Sequence, residues 1–285
     1  MKILENEKLD KYTTFKVGGI AKKLFFPENI EDIVDLYKQD STIFKYIISG
    51  GSNLIINDEK EFENVICMRE FEKKINKVDE CQYYISSSLR LQEVINKINS
   101  DNCGGIEYLF SVPALIGGAI YMNAGRGKKF NQSISDYIEK VVYFENGEIK
   151  EKEKNDCQFN YRTSLFKGKD NIIILGAYFK FNKIEESEAQ ELVKKRIELC
   201  KEKQDMSYPN FGSVFSNYNE RIMKFIRVTS KLDGKKQVHF SSKTLNWLLK
   251  GEAGNFQQTM NKIERVKKLH NFLGKKVELE AIVWE

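Results

Sequence analysis

Between the apolar runs Tyr46-Ile47-Ile48 and Leu54-Ile55-Ile56 the chain reads Ser49-Gly50-Gly51-Ser52-Asn53. Adjacent glycines can take positive φ and aim successive N–H groups at one point, which makes a concave anion site, and Ser52 and Asn53 add short polar side chains. A diphosphate fits such a site; the same residues also suit a plain hairpin turn. The β-branched runs on either side predict strand, turn, strand, with no helix opening at the glycines. A second stretch, residues 111–127, carries small residues at Ala114, Gly117, Gly118, Ala119, Ala124, Gly125 and Gly127. Something bulky must approach that backbone, either a ligand or a packed element. No Gly-x-Gly-x-x-Gly joins a strand to a helix, so a Rossmann nucleotide site is not supported.

The elements around these stretches alternate between the two periods. Residues 12–19 alternate and break at Gly18 and Gly19, which predicts a short strand and a bend, with a further strand at 24–26. After Pro27 the period becomes that of a helix, with Ile30, Ile33, Val34 and Tyr37 on one side. Strands are predicted at 64–68, 82–86, 141–144 and 172–181, and a helix with Leu89, Leu91, Val94, Ile95 and Ile98 inward. Residues 159–166 are an irregular polar and aromatic segment. A charged helix over 185–203 connects to a last part with strands at 238–241 and 246–249, a helix carrying Phe256, Met260, Ile263, Val266 and Leu269, and a closing strand over 277–284.

With 285 residues, 41% of them hydrophobic, and only three prolines, the chain can bury a large core and divide into two or three subdomains. The net charge of +5 comes from 46 basic and 41 acidic residues mixed along the whole length. That mixture speaks against nucleic acid as a partner. The charged start and the lack of any long apolar run predict a cytoplasmic protein with no membrane insertion. Five scattered cysteines, Cys67, Cys81, Cys103, Cys157 and Cys200, form no Cys-x-x-Cys pair and are expected to be reduced thiols. His239 and His270 lie far from any cysteine cluster, so no metal site is expected.

Thr14-Phe-Lys-Val-Gly-Gly, Gly50-Gly-Ser-Asn-Leu, Gly105-Ile-Glu, Pro113 with Gly117-Gly-Ala-Ile-Tyr-Met-Asn-Ala-Gly, Tyr161-Arg-Thr-Ser-Leu-Phe, Gly212-Ser-Val-Phe and Leu279-Glu280 occur in one order. In that order they resemble the UDP-N-acetylenolpyruvoylglucosamine reductase family over nearly the whole chain. The resemblance implies an α+β fold: a two-lobed FAD-binding domain of the vanillyl-alcohol-oxidase type plus a C-terminal α+β substrate domain. The lobes would be residues 1–66 and 67–183, and residues 184–285 the connector helix and substrate domain, with a last strand that could return to the FAD lobes. It further implies NADPH-dependent reduction of UDP-N-acetylglucosamine enolpyruvate to UDP-N-acetylmuramate in peptidoglycan precursor synthesis, by a monomer. No histidine or cysteine lies in the glycine stretches, which argues for FAD held without a covalent bond.

The same resemblance assigns roles by position. Ser213 would donate a proton, Arg162 would meet the substrate carboxylate and its growing charge through a two-pronged guanidinium, and Glu280 would assist the proton path or the charge. Gly50, Gly51, Ser52, Asn53 and Leu54 would surround the FAD diphosphate, and Gly118, Ala119 and Asn123 the second wall. Lys203, Asn217 and Tyr161 would hold the UDP-sugar. Some positions depart from the family pattern. Ser86-Ser87-Ser88 replaces Gly-Ala-Gly, which predicts crowding at the cofactor, and Asp205 and Tyr218 stand at expected prolines, Thr244 at an expected histidine. The competing reading is therefore a diverged FAD-binding paralogue with another substrate or no reductase activity.

Overall fold

The computed structural model describes residues 1–230 and 234–285. These fall into two compact units that are not contiguous in sequence. The first comprises Met1–Glu5, Lys23–Gly50 and Asn64–Cys200; the second comprises Asn6–Lys22, Gly51–Glu63 and Lys201–Glu285.

The first unit is built on a five-stranded antiparallel sheet in the order Glu148–Glu153, Ile138–Glu145, Ile172–Lys180, Gln82–Ser86, Ile75–Asp79. Strand side chains alternate between faces. Val141 and Tyr143 enter one core together with Tyr83 and Ile85, while Val142 and Phe144 enter a second core on the opposite face. Along Ile172–Lys180 a register shift between Ile174 and Gly176 changes the parity, so Ile172 and Ile174 share a core with Ala177 and Phe179. Gly176 is needed there, since a Cβ would lie 2.7 Å from the Ile85 carbonyl oxygen.

Helices cover both faces. α1 (Ile30–Gln39), capped by the Asn29 side chain accepting from the Asp32 N–H, buries Ile33 and Leu36. α2 (Leu91–Ser100) buries Leu91, Val94, Ile95 and Ile98, and the short α3 (Ile116–Tyr121) buries Ile116, Ala119 and Ile120. A ten-residue helix such as α2 is too short to persist alone in water, and each buried aliphatic side chain contributes roughly 1.5–3 kcal/mol. Packing rather than propensity therefore holds it. A long helix, α4 (Glu186–Lys203), begins in this unit.

The second unit contains α5 (Glu220–Thr229) and α6 (Phe256–Phe272), which pack Ile222, Met223, Ile226, Ile263 and Val266 into a core with Phe15, Phe211 and Phe215. Asn219 and Asn255 cap the two helices. His270 is fully buried, with Nε2 accepting from the Asn219 N–H at 3.0 Å and Nδ1 facing the Val266 carbonyl at 2.9 Å. This histidine thus ties the start of α5 to α6. Three strand pairs complete the unit: Phe215–Asn217 with Glu278–Leu279, Val238–Phe240 with Leu248–Lys250, and Leu54–Ile56 with Ile282–Trp284.

Four expectations are corrected. Residues 12–19 form no strand, because the Thr13 hydroxyl accepts from the Lys16 N–H and donates to the Val17 carbonyl, closing a local turn with Lys16 at φ +58°. The strand begins at Ile20 and runs to Phe26. α5 was not expected at all, although Asn219 and the spacing of Ile222, Met223 and Ile226 signal it. The closing strand over 277–284 divides in two at Glu280 and Ala281, the first part pairing antiparallel with Phe215–Asn217 and the second parallel with Leu54–Ile56.

The fourth correction concerns the thiols. Cys81 and Cys103 form a disulfide with their Cα atoms 5.5 Å apart, closing a loop with a sequence separation of 22, worth about 3 kcal/mol on the chain-entropy model. Burial pushes the thiols of Cys67 and Cys157 up to about 11. A thiol is a nucleophile only as thiolate. Titration of the native, unreduced protein with a disulfide reagent at pH 8 should therefore modify Cys200 alone among the three free cysteines, and unfolding without reductant should release Cys67 and Cys157 as well. Five titrating thiols after unfolding without reductant would show that the disulfide is absent.

No helix among the described residues is long and apolar enough to cross a membrane.

Candidate active site

The glycine turn at 49–53 is not a hairpin. Ile47–Ile48 pairs in parallel with Ile66 and Cys67, whereas Leu54–Ile56 pairs in parallel with Ile282–Trp284, so the strands flanking the turn have different neighbours. The Arg69 guanidinium donates to the carbonyls of Ser49 and Gly50, at 3.4 and 3.1 Å. In a trans peptide the N–H points opposite to the C=O. Arg69 thereby turns the N–H groups of Gly50 and Gly51 away from itself, an orientation suited to an anion. Ser49 Oγ accepts from the Gly118 N–H at 3.2 Å, which joins this turn to the second glycine stretch.

Around that junction the first unit has little room for side chains. A Cβ on Gly50 would lie 3.2 Å from the Leu115 nitrogen, and one on Gly117 only 2.9 Å from the Ser87 Cβ. Ala119 is buried beside them. The three serines differ in their partners. Ser86 Oγ accepts from the Lys74 N–H and Ser88 Oγ donates to the Glu72 carbonyl, so both hydroxyls are engaged by backbone. Ser87 Oγ is buried against Gly117 with no hydrogen-bond partner in the protein, an atom that a polar ligand would satisfy.

The irregular segment 159–166 is held to the same unit by side chains. Asn123 donates to the Asn160 carbonyl at 3.0 Å and accepts from the Ser135 N–H at 3.3 Å. Its amide therefore places the loop carrying Tyr161 and Arg162. Ser164 Oγ donates to the Tyr121 carbonyl, and Arg162 Nη2 donates to the Gly125 carbonyl at 2.9 Å. Arg162 sits at φ +57°, a left-handed conformation that costs an arginine about 1–2 kcal/mol. Observed strain of this kind points to function, because the surrounding contacts must hold it in place. The guanidinium carbon lies 5.4 Å from the Tyr161 ring centroid, with Lys128 over the same ring.

In the second unit Gly51 takes φ +68°, and a Cβ there would fall 1.9 Å from the Tyr12 carbonyl oxygen. The Gly51 carbonyl accepts from the Thr14 N–H, the Thr14 hydroxyl donates to the Asn210 carbonyl at 2.7 Å, and the Asn210 side chain accepts from the Gly212 N–H. Gly212 lies at φ +78° with open space where its side chain would be. Asn53 donates to the Glu280 carbonyl at 3.1 Å and accepts from the Ile282 N–H, beside the buried Leu54; Ser52 lies between Gly51 and Asn53. The Glu280 N–H donates to the Val214 carbonyl at 2.8 Å. Glu280 is thus paired through its backbone with Val214, the residue after Ser213, and both segments are tied to the 51–53 turn.

Phe215 pairs with Leu279 and, after a register shift, Asn217 with Glu278, so Glu280 rather than Glu278 lies toward the Ser213 end of the strand. Lys203 is the exposed last residue of α4. Sequence reasoning missed Ser49, Arg69, Asn160 and Asn210. Their polar side chains or carbonyls act on the backbone of distant segments, and no local pattern marks that.

Three comparisons place this architecture. The crystal structure of the UDP-N-acetylenolpyruvylglucosamine reductase of Thermus caldophilus superposes with a TM-score of 0.79, covering 100% of this chain and 98% of the other at 20% identity. The fold and the named relatives define an oxidoreductase with an α+β FAD-binding fold and a substrate domain. No family model matches the chain. The UDP-N-acetylenolpyruvoylglucosamine reductase of Fusobacterium nucleatum is 30% identical over 99% of both chains, and that of Carboxydothermus hydrogenoformans is 34% identical over 75% of this chain and 70% of its own. The chain belongs to the UDP-N-acetylenolpyruvoylglucosamine reductase family.

Proposed function

We propose that the protein reduces UDP-N-acetylglucosamine enolpyruvate to UDP-N-acetylmuramate for peptidoglycan precursor synthesis, with NADPH as reductant and non-covalent FAD. The observation that carries this reading is the backbone pairing of Glu280 with Val214, the residue after Ser213, which joins the Glu280 and Ser213 segments on the element tied to the Gly51 turn. A relative of near-complete coverage that bears the reductase name supports it.

The chain fits the cofactor. Gly50, Gly117 and Gly118 present backbone without side chains, Ser87 offers an unpaired buried hydroxyl, and Arg69 sets the peptide orientation. Gly50, Gly51, Ser52, Asn53 and Leu54 would hold the diphosphate, with Gly118 and Ala119 as the second wall and Asn123 as the residue that fixes the Tyr161 loop. FAD when bound supplies the hydride transfer that no side chain can perform.

The residues of the chain supply the rest. Saturating the enolpyruvyl double bond takes a hydride on one carbon and a proton on its neighbour. Ser213 Oγ–H donates that proton, and Glu280, on the strand segment paired with Val214, assists the proton path or the growing charge. Arg162 binds the carboxylate on which negative charge grows between the two additions; a guanidinium prearranged by Gly125 and the strained backbone needs no reorganisation as that charge develops. Lys203, Asn217 and Tyr161 bind the UDP-sugar, the lysine through its charge on the diphosphate.

An absorption spectrum tests the proposal. The purified, FAD-reconstituted protein should show a flavin band that bleaches with NADPH and returns when UDP-N-acetylglucosamine enolpyruvate is added. A protein that takes up no FAD fails the first step. One whose reduced flavin ignores that substrate is the diverged paralogue instead.

A further inference from the structure

α4 ends without the glycine that commonly closes a helix, yet a helix leaves its last carbonyls without internal partners. A distant loop satisfies them. Lys243 Nζ donates to the Lys201 carbonyl at 2.6 Å and the Thr244 hydroxyl donates to the Lys203 carbonyl at 2.9 Å. A cation at a helix C-terminus also suits the macrodipole. The Thr244 oxygen in turn accepts from the Asp205 N–H at 3.1 Å. Ser241 Oγ, fully buried, donates to the Asp205 carboxylate at 2.6 Å while accepting from the N–H groups of Lys243 and Thr244. Burial pushes the Asp205 carboxyl up, but hydrogen bonds from Ser207 and Ser241 and the Lys243 charge outweigh it and hold it below the ordinary aspartate value.

The other end of the same loop holds the serine segment. Trp247 bridges to Ser213. The Asn246 carbonyl accepts from the Val214 N–H, and its side chain both accepts from the Phe215 N–H and donates to the Phe215 carbonyl. Within the loop the Thr244 carbonyl accepts from the Trp247 N–H, and the Ser241 N–H donates to the Trp247 carbonyl at 3.0 Å, so its two ends form one rigid body. Both departures from the family pattern noted at Asp205 and Thr244 belong to this network, and each satisfies the other: an aspartate has the N–H that Thr244 accepts, where a proline would have none.

We propose that residues 241–247 form a positioning element that sets Lys203 and Ser213 together, Lys203 through the carbonyls at the end of α4 and Ser213 through Asn246 and Trp247. Thr244, Lys243 and Asp205 are then positioning residues for the substrate diphosphate, acting through Lys203. The proposal rests on the roles given above to Lys203 and Ser213, and the wild-type control separates the two.

The test is half-reaction kinetics on FAD-loaded wild type and variants. Thr244→Val removes the bond to Lys203 and the acceptor for Asp205 in one isosteric step. It should raise KM for UDP-N-acetylglucosamine enolpyruvate about tenfold, as two modest hydrogen bonds imply, while flavin reduction by NADPH changes by less than about twofold. Thr244→Ser, which keeps the hydroxyl, should bring KM back near wild type. If Thr244→Val does not fold, Lys243→Met takes its place, with the exposed side chain shortened of its ammonium only. An unchanged KM, loss of both half-reactions in parallel, or no recovery with serine overturns the proposal. Wild type whose reduced flavin is not reoxidised by this substrate overturns the functional reading instead.

Discussion

Replacing Ser213 by alanine should leave flavin reduction by NADPH within about twofold of wild type and slow reduction of the enolpyruvyl substrate by on the order of 10²–10⁴, the span expected for loss of a positioned acid. The backbone at Ser213 is fixed by groups that the substitution does not touch. Its neighbour Val214 bonds to Asn246 and to Glu280, Trp247 bridges to residue 213 itself, and Gly212 before it is held by Asn210. Alanine therefore deletes one hydroxyl and little else. Stopped-flow absorbance reads both halves on one sample, by bleaching with NADPH and by recovery with substrate. Parallel loss in the two halves would assign Ser213 a structural role. A variant that reduces substrate at the wild-type rate would remove Ser213 from the proton path, and Glu280→Gln would then be the next variant to examine.

Gly51→Ala should lower stability by about 2–5 kcal/mol and with it the flavin content. Two costs add. A residue with a side chain at φ +68° loses roughly 1–2 kcal/mol to the left-handed conformation, and forcing extra atoms into a packed site costs roughly 1–3 kcal/mol. The second cost is unavoidable here, because the new Cβ would meet the Tyr12 carbonyl oxygen at 1.9 Å and that backbone is held by the bond from Thr14 to the Gly51 carbonyl. Against a usual total of about 5–15 kcal/mol this is a large fraction. Gly212→Ala provides the control: at φ +78° with nothing near its Cβ position, it should lose only the conformational part. Thermal unfolding of both variants, followed by near-UV circular dichroism, measures the difference. Equal losses at the two positions would refute the steric account of Gly51, and a Gly51→Ala protein that retains wild-type stability and full FAD would refute the need for a close turn at this point.

Much of the architecture was legible because it is local. The helix over Ile30–Gln39 follows from apolar residues at helical spacing behind an asparagine cap, and the strand Gln82–Ser86 from its β-branched and aromatic run. The glycine stretches announced that something approaches the backbone closely, and at Gly51 and Gly117 a Cβ would indeed collide. The motif order carried the family, which the Fusobacterium relative shows over the full length. Where local reading went astray, a side chain had captured nearby backbone or a distant partner had intervened. The alternation over residues 12–19 came from a turn closed by Thr13, and the closing strand broke at Glu280 because its halves serve different neighbours.

By itself, then, the sequence determined which segments are helical or extended, where side chains must be absent, and which motifs recur in the reductase family. Each of these is set by neighbours within a few turns of chain, through side-chain periodicity and backbone sterics. Only the tertiary structure decided that the Gly50 and Gly51 turn is no hairpin, that Glu280 pairs with Val214, that Cys81 is bonded to Cys103, and that one loop serves both Lys203 and Ser213. These are pairings between residues far apart in the chain, many compatible with the same local pattern. The one adopted is the one that lets buried polar backbone find partners while the apolar faces close, and that is a property of the whole packed chain.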